Sequence, residues 1–445
     1  MITAPICEFV RRYRYSGALR MHMPGHKGTA LLGPEPLDLT EIEGADVLYH
    51  AEGIIRESEA NAAALFGTKK TVYSAEGSSL CIRAMLYLAL LHARANHKKP
   101  VIAAGRNAHK VFMTAAALLD LDIRWIYGTE SVISCAITPA QLEDVIVSEN
   151  PAAVYITSPD YLGNIADIKS LSTVCKKHGV LLLVDNAHGA YLHFLPEPMH
   201  PMQLGADICC DSAHKTLPVL TGGAYLHIAH GTPDMFAQRA ESAMALFAST
   251  SPSYLILQSL DAMNPLLATS FPAQLKACAE RLDTLKAMLR AHGYALCGEE
   301  RTKLCLLPKP FGYTGTALAE ILTHSNIYCE FSDADHLVMM FTPETTPADF
   351  ARLERALLSV LPAPAIILSK PPVPPHAERV LSPREALFSP SETLPLSECK
   401  NRILADANVS CPPAVPLAVC GERLTPEVIS AMEYYGTERC TVVVE

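Results

Sequence analysis

A lysine with a histidine and a serine beside it stands in the stretch Asp211-Ser-Ala-His-Lys-Thr216. A lysine amine forms a Schiff base with a carbonyl group once it has lost its proton. Burial and a neighbouring cation, such as protonated His214, both favour the neutral amine. The hydroxyl of Ser212 is suited to binding a phosphate. The sequence therefore makes Lys215 a candidate for covalent attachment of an aldehyde, with an ordinary solvated lysine as the alternative.

A second stretch, Ser74-Ala-Glu-Gly-Ser-Ser79, ends where a strongly helical segment begins. Gly77 permits close approach of a ligand to the backbone, and Ser78 and Ser79 place hydroxyls beside the free N–H groups of a helix start. These groups predict a phosphate-binding site. A plain serine N-cap is the alternative.

An acid ends a buried apolar run in Leu181-Leu-Leu-Val-Asp-Asn-Ala-His-Gly189. Open parallel sheets bind ligands at the carboxyl ends of their strands. Asp185 can there keep a pyridine nitrogen protonated, which makes the ring an electron sink. Ala187 leaves room for a flat ring, and His188 can contact ring substituents or move a proton. An N-cap role for Asp185 is the alternative, although unpaired buried acids are uncommon.

Two further loops follow predicted strands. His109, in the loop 105–110, can stack on a flat ring and exchange a proton near neutral pH, and a solvated loop histidine is the alternative. Asp160 lies in the loop 157–163 and brings an acid to the same rim. An amine, a phosphate cradle, an acid at a strand end and a stacking ring together predict pyridoxal 5'-phosphate as the cofactor.

The elements that position these residues alternate between helical periodicity and short apolar runs from about 57 to 230, which predicts an α/β fold with a mainly parallel sheet covered by helices. Strands are predicted at 101–104, 154–157, 180–184 and 208–210. Helices are predicted at 57–66, 79–95, 110–119, 139–148, 168–178, 253–262 and 271–292. Ser382-Pro-Arg-Glu385 is typical of a capped helix start.

The domain organisation is predicted from composition and proline content. It comprises a helical lead-in (1–20), a large cofactor-binding domain (21–265), a small α+β domain (266–361), a proline-rich connector (362–375) and a C-terminal domain (376–445). The prolines of the connector forbid a regular helix and indicate an extended segment.

The chain has 445 residues, of which 49% are hydrophobic, and a formal net charge of −10. This length and apolar content allow a large core, and the charge argues against a nucleic-acid surface. No apolar run reaches the ~18 residues that cross a bilayer, and no secretion signal is evident. The fourteen cysteines include no Cys-x-x-Cys pair. We therefore expect reduced core cysteines in a cytoplasmic protein.

The residue spacing does not support a nucleotide-binding site, a nucleophilic serine or a metal site. The sequence has neither the glycine-rich nucleotide-binding patterns nor a G-x-S-x-G elbow. His22 and His26 are four residues apart, but Pro24 and Gly25 break the helix that would align them for a metal. The alternative is that they gather in space with His109, His188 and His214 around a metal. It is not expected, because no acid or cysteine accompanies these histidines at ligand spacing.

Four ordered motifs resemble those of the ornithine/lysine/arginine decarboxylase family: Met-His-Met-Pro-Gly-His-Lys-Gly (21–28), Gly-Arg-Asn-Ala-His-Lys (105–110), Asp-Asn-Ala-His-Gly (185–189) and Ser-Ala-His-Lys-Thr-Leu-Pro (212–218). The resemblance runs from about 20 to 230. It resumes near the C-terminus in Ser-Pro-Arg-Glu-Ala (382–386) and in Pro-Pro-Ala-Val-Pro (412–416) followed by Gly-Glu (421–422).

The resemblance implies the aspartate-aminotransferase fold, fold type I of the pyridoxal phosphate enzymes. It implies that Lys215 binds the cofactor, that Asp185 pairs with the ring nitrogen and that His109 stacks on the ring. The phosphate is then surrounded by Ser78, Ser79, Ser212 and His214.

Two features depart from the family. The turn before the first long helix reads Ala-Glu-Gly-Ser-Ser rather than Asn-Gly-Thr or Asn-Gly-Ser, so the side chain of Glu76 is expected to point away from the phosphate. Only about twenty residues precede the first motif, so the N-terminal wing domain of long bacterial members, and the higher oligomers it builds, are not expected.

The implied reaction is decarboxylation of arginine, lysine or ornithine to an amine and carbon dioxide, which feeds polyamine or diamine synthesis, in a homodimer with its active site near the interface. Lys215 and His109 are candidates to return a proton to the α-carbon. Glu330 is a candidate contact for the distal cation of the substrate, with a solvated glutamate as the alternative. His26 and Lys27 are candidates to close the mouth of the site. The alternatives are an aminotransferase or other carbanion chemistry on the same cofactor, and a non-catalytic protein of the same fold.

Overall fold

The computed structural model describes residues 2–128, 136–367, 372, 376–411 and 415–444. Contacts divide the chain into two compact units, and each is described by itself. Unit 1 comprises Met1–Lys98 and Ile168–Leu275, and unit 2 comprises Lys99–Asp167 and Lys276–Glu445.

The helices of the described residues, α1 to α15 in chain order, are Pro5–Arg14, Ile54–Phe66, Gly77–Ala95, Lys110–Leu119, Pro139–Glu149, Ile168–Lys177, Pro201–Leu204, Ala213–Thr216, Asp234–Ala245, Tyr254–Leu267, Phe271–His292, Gly315–Thr323, Pro347–Leu358, Pro383–Phe388 and Pro426–Tyr434. The strands, β1 to β15, are Lys70–Ser74, Val101–Gly105, Asp122–Ile126, Ala153–Thr157, Leu181–Asp185, Ile208–Asp211, Ala224–Ile228, Ala295–Cys297, Lys303–Leu307, Phe331–Ser332, Leu337–Met340, Ser391–Pro395, Asn408–Cys411, Val415–Val419 and Arg439–Val443.

Unit 1 is built on four strands in the order β1-β7-β6-β5. Strands β5 and β6 are parallel, and β7 runs antiparallel to both β6 and β1. Every residue of β5 and β6 is buried, as expected for strands covered on both faces, and α3 packs against β1, β5, β6 and β7. Because Asp185 pairs with Cys210 across these parallel strands, the turns that follow β5 and β6 begin side by side.

Unit 2 contains parallel strands in the order β4-β2-β3 and a four-stranded antiparallel sheet in the order β10-β11-β9-β8. A buried apolar cluster joins that antiparallel sheet to α12 and α13. Two short antiparallel pairs, β12 with β15 and β13 with β14, lie near the C-terminus. Helix α14 begins with the predicted cap, since the Ser382 side chain and Glu385 form a capping box.

The predicted strands and helices are confirmed, with boundaries that differ by up to five residues. Helix α2 begins at Ile54 and α3 at Gly77, two or three residues before the predicted starts. Strands β3 and β7 and the individual strands β8 to β15 were not predicted. The structure describes neither residues 368–371 and 373–375 of the connector nor Pro412, Pro413 and Ala414 of the C-terminal motif. The domain boundaries remain a prediction.

Two sequence-based expectations concern the cysteines and the membrane. The cysteines in the described part of the chain are free thiols, and most are buried. Within that same part of the chain, no helix combines the length and the apolar character that a bilayer span requires.

A buried acid in α2 gives unit 1 a testable dependence on pH. Glu59 is 5% exposed, and its Oε1 accepts the Tyr73 N–H at 2.9 Å. Burial raises the pKa of Glu59 from 4.5 to about 8, although that hydrogen bond acts in the opposite direction. Since the pKa of Glu59 is higher in the folded state than in the unfolded state, the folded state keeps the proton to a higher pH. The free energy of unfolding therefore falls as the pH rises from about 4.5 to about 8.

We therefore expect Glu59→Gln to gain stability relative to the parent protein as the pH rises from 5 to 8, by up to about 4 kcal/mol. Urea unfolding of both proteins at pH 5, 6.5 and 8 measures the difference. Glu57→Gln, an exposed change on the same helix, serves as the control. A Glu59→Gln difference that is the same at all three pH values contradicts the prediction.

Candidate active site

Lys215 lies in the short helix α8, which follows β6 directly. Its Nζ is 3.1 Å from Nε2 of His188, a residue in the turn after β5. The lysine is half-buried, and its backbone N–H donates to the Ser212 carbonyl at 3.0 Å. The adjacent ends of two parallel strands thus bring together a lysine amine and an imidazole, between which a proton can pass.

Asp185 is the last residue of β5 and is 2% exposed. Its Oδ1 accepts the Ala187 N–H at 3.2 Å and lies 3.7 Å from the Cys210 thiol. The next helical turn, 190–194, has Gly189 as its N-cap, so the alternative of Asp185 as an N-cap is wrong. Ala187, in the turn after β5, is also buried.

The start of α3 has the features of an anion site. Its N-cap, Glu76, makes no side-chain capping bond. Gly77 has φ of +71°, which favours glycine, and a Cβ placed there would meet no heavy atom within 4 Å. The hydroxyl of Ser212 donates to that of Ser78 at 2.7 Å. The serine N-cap alternative is wrong, because Ser78 and Ser79 both lie within the first turn of the helix.

The carboxylate of Glu76 accepts the Ser249 N–H at 2.7 Å. This bond gives the acid a partner in the loop after α9. The expectation that Glu76 points away from a phosphate remains a prediction.

His214 requires a correction. Its Nδ1–H donates a hydrogen bond to the Gly223 carbonyl at 3.0 Å, because a carbonyl oxygen can only accept. Burial lowers the pKa of His214, the positive charge of Lys215 acts in the same direction, and together they outweigh the Gly223 hydrogen bond. The expectation of a protonated His214 that favours the neutral lysine is therefore corrected, because burial favours the neutral imidazole.

The donor set of unit 1 fits pyridoxal phosphate. An uncapped helix start and the hydroxyls of Ser78 and Ser212 suit a phosphate. The buried hydroxyl of Thr216 has no hydrogen-bond partner among the described residues and can add a further donor. Lys215 suits an aldehyde, and Asp185 suits a protonated ring nitrogen.

His26 and Lys27 also belong to unit 1. His26 lies 3.2 Å from the Asp38 carboxylate through Nε2 and accepts the Gly28 N–H at 3.0 Å through Nδ1. Lys27 donates to the His22 carbonyl. These bonds shape their own loop, and a role at the mouth of the site remains a prediction.

Three predicted site residues belong to unit 2. His109 is the N-cap of α4 and accepts the Val111 N–H at 3.3 Å. Asp160 is buried and accepts two hydrogen bonds from Asn164, at 2.9 and 2.7 Å. Glu330 is exposed, as its solvated alternative requires, and accepts the Tyr161 hydroxyl at 2.7 Å. Their roles in the site remain predictions.

Sequence reasoning missed a buried network beneath the turn that carries Lys215. Asp211 there accepts hydrogen bonds from His200, His227 and Asn186. The signal in the sequence was weak, since it consisted of two histidines within largely apolar segments. Their convergence on one acid depends on the antiparallel pairing of β6 with β7, which was not predicted.

Comparison with known proteins identifies the family of the chain. Residues 4–296 match the family model described as the Orn/Lys/Arg decarboxylase major domain. The chain is 31% identical to an arginine decarboxylase of Bacillus subtilis (strain 168), over 96% of this chain and 92% of the relative. It is 28% identical to an arginine decarboxylase of Bacillus anthracis, over 92% and 88%.

Among solved structures, the lysine decarboxylase of Francisella novicida superposes with a TM-score of 0.79 at 16% identity, over 100% of this chain and 81% of that one. At this identity the likeness establishes the fold. The chain therefore belongs to the ornithine/lysine/arginine decarboxylase family, and it is a pyridoxal phosphate-dependent amino-acid decarboxylase of fold type I.

Proposed function

We propose that this protein decarboxylates a basic amino acid, arginine, lysine or ornithine, to the corresponding amine and carbon dioxide. The observation that carries the proposal is the approach of Lys215 Nζ to His188 Nε2, beside the buried acid Asp185. The arginine decarboxylases of similar sequence favour arginine as the first substrate to test. A requirement for the positive charge at the end of the substrate side chain would distinguish this activity from decarboxylation of neutral amino acids.

Pyridoxal phosphate, when bound, supplies an aldehyde for the substrate amine and a ring that accepts the electron pair left by the departing carboxylate. Lys215 provides the attachment, and His188 can receive or return the proton of its Nζ across 3.1 Å. The Asp185 carboxylate holds the proton of the ring nitrogen. The phosphate is held by Gly77, Ser78, Ser79, Ser212 and His214.

The remaining roles rest on the family resemblance. His109 stacks on the ring, and it shares with Lys215 the candidacy for returning a proton to the α-carbon. Ala187 leaves room for the ring, and Asp160, His26 and Lys27 are proposed around the substrate. A homodimer, a cytoplasmic location and a part in polyamine synthesis belong to the same proposal.

The test is a substrate screen with purified protein and added pyridoxal phosphate. We expect carbon dioxide and one amine in equal amounts from a basic amino acid, and no turnover of alanine or leucine. Mass spectrometry of the products and trapping of carbon dioxide measure both. Keto acid formation without carbon dioxide would establish the aminotransferase alternative. No product with any of the three basic amino acids would favour the non-catalytic alternative.

Glu330 gives the proposal a residue-level prediction about substrate charge. An exposed carboxylate that pairs with a distal cation contributes about 1 kcal/mol, so Glu330→Gln is expected to raise KM roughly five- to tenfold and to leave kcat within about twofold. Steady-state kinetics at constant ionic strength measure this split. Glu320→Gln, an exposed change on α12, serves as the control. Equal kinetic constants in both variants would show that Glu330 does not contact the distal cation of the substrate.

A further inference from the structure

We infer that Asp211 is a positioning residue, which holds the ends of β5 and β6 together through Asn186 and thereby fixes Asp185 relative to Lys215. The inference rests on the proposed function, because it concerns the two residues that we assign to the cofactor.

Asp211 ends β6 and is fully buried. Its Oδ2 is 2.9 Å from Nε2 of His200 and 3.2 Å from Nε2 of His227. Its Oδ1 accepts Nδ2–H of Asn186 at 2.7 Å, and the Cys209 thiol lies 3.5 Å from the same oxygen. Nitrogen donors from three other segments of unit 1 therefore converge on one carboxylate.

The carboxylate is charged. Burial by itself raises the pKa of Asp211, but attraction to His200 and His227 and the hydrogen bonds from them outweigh it and hold the pKa well below the usual range. Burial also lowers the pKa of His227, and it lowers that of the neighbouring His193 to about 4. Asp211 is thus the anion of the cluster, and the hydrogen bonds that it accepts from His200 and His227 are charge-assisted.

The hydrogen positions argue against reading the cluster as a metal site. His200, Cys209 and Asp211 are close enough to share an ion. A charged carboxylate can only accept, so Nε2 of both His200 and His227 carries a hydrogen toward it. Nδ1 of His200 accepts the Met202 N–H, and Nδ1 of His227 lies 2.9 Å from the Thr71 hydroxyl. Each ring nitrogen therefore has a partner within the protein.

The bond to Asn186 connects this cluster to the active site. Asn186 follows Asp185 directly, and its backbone N–H donates to the Cys210 carbonyl at 2.9 Å. Asp211 directly precedes the turn that carries Ser212 and Lys215. The side-chain bond therefore joins the two chain segments one residue away from the cofactor acid and four residues away from the lysine.

Gly189 supplies an independent observation. A Cβ at this position would stand 2.0 Å from Oδ1 of Asn186 and 2.7 Å from Cδ1 of Leu192. The absence of a side chain at Gly189 leaves room for the Asn186 amide to turn toward Asp211. Within the motif 185–189, Asn186 therefore serves to bind Asp211, and Gly189 leaves space for the Asn186 side chain.

The experiment compares two variants of the full chain that each remove one hydrogen bond from the cluster. Asn186→Ala removes the bond to Oδ1, between the strand ends. Thr71→Val removes a bond on the far side of His227. We expect both variants to lower the unfolding midpoint of the cofactor-free protein. Only Asn186→Ala should raise the dissociation constant for pyridoxal phosphate, by about tenfold, as expected for loss of a charge-assisted hydrogen bond.

Titration of the visible absorbance with pyridoxal phosphate measures the dissociation constants, and thermal unfolding measures the midpoints. An Asn186→Ala constant within about twofold of the parent value, or an equal loss of affinity in Thr71→Val, overturns the positioning role and leaves a purely structural one. The parent protein in parallel reports on the proposed function by its own visible band and carbon dioxide release. If the parent protein is active and only Asn186→Ala loses affinity for pyridoxal phosphate, the result tests the role of the Asp211 cluster separately from the proposed function.

Discussion

Replacing Lys215 with alanine is expected to abolish the visible absorbance of protein-bound pyridoxal phosphate and to reduce amine formation on the order of 10⁴-fold or more. Lys215 Nζ is the amine that approaches His188 at the joined ends of β5 and β6, and a methyl group cannot form the covalent link. Spectra of the variant with added cofactor, together with single-turnover assays of carbon dioxide release, measure both effects.

Lys276→Ala is the matched control, because this lysine is exposed and pairs with Glu280 on the surface of α11. It should retain the visible band and full turnover. Retention of the band in Lys215→Ala would mean that another amine holds the cofactor. Loss of the band with turnover preserved would separate catalysis from this lysine altogether.

Much of this site was predictable because its residues come from strand ends. Asp185 and Lys215 each follow a run of apolar residues that can only be a buried strand, and parallel strands present their carboxyl ends at one edge. The register of β5 and β6 places these turns side by side, as the sequence predicts. The approach of His188 to Lys215 follows from the same arrangement.

The charge state of His214 was less accessible from sequence. His214 stands beside Lys215 in the sequence, which suggested that a protonated His214 would favour the neutral lysine amine. The extent of burial and the Gly223 carbonyl were not visible, and burial decides the result because it penalises the charged imidazole.

The network around Asp211 shows a second limit. His200 and His227 lie on opposite sides of β6 in the sequence, and they meet only because β7 runs antiparallel beside it and pairs Cys209 with His227. Periodicity identifies a strand but not its neighbour or register. The contacts of Glu76 with the loop at Ser249 depend in the same way on tertiary packing.

Asp185→Asn is the second change with a large expected effect. Asp185 is 2% exposed, and we assign its carboxylate to the proton of the ring nitrogen. An amide of the same shape carries no charge to stabilise that proton. Loss of one partner from a buried ion pair costs about 3–5 kcal/mol, so kcat is expected to fall on the order of 10²- to 10⁴-fold. Cofactor attachment through Lys215 should persist, because the amide fits the same space.

Asp207→Ala, which removes the acceptor, provides the comparison that separates chemistry from folding. Asp207 accepts the Leu182 N–H at 2.8 Å and so joins the same two strands at their opposite ends. Its replacement should lower the unfolding midpoint while kcat stays within about twofold, since it lies away from the turns that carry Asp185 and Lys215. Steady-state kinetics, cofactor spectra and thermal unfolding of both variants give the result. If kcat falls equally in both, strand stability rather than the ring nitrogen accounts for the loss. If Asp185→Asn keeps the parent kcat, the electron-sink role assigned to this acid is wrong.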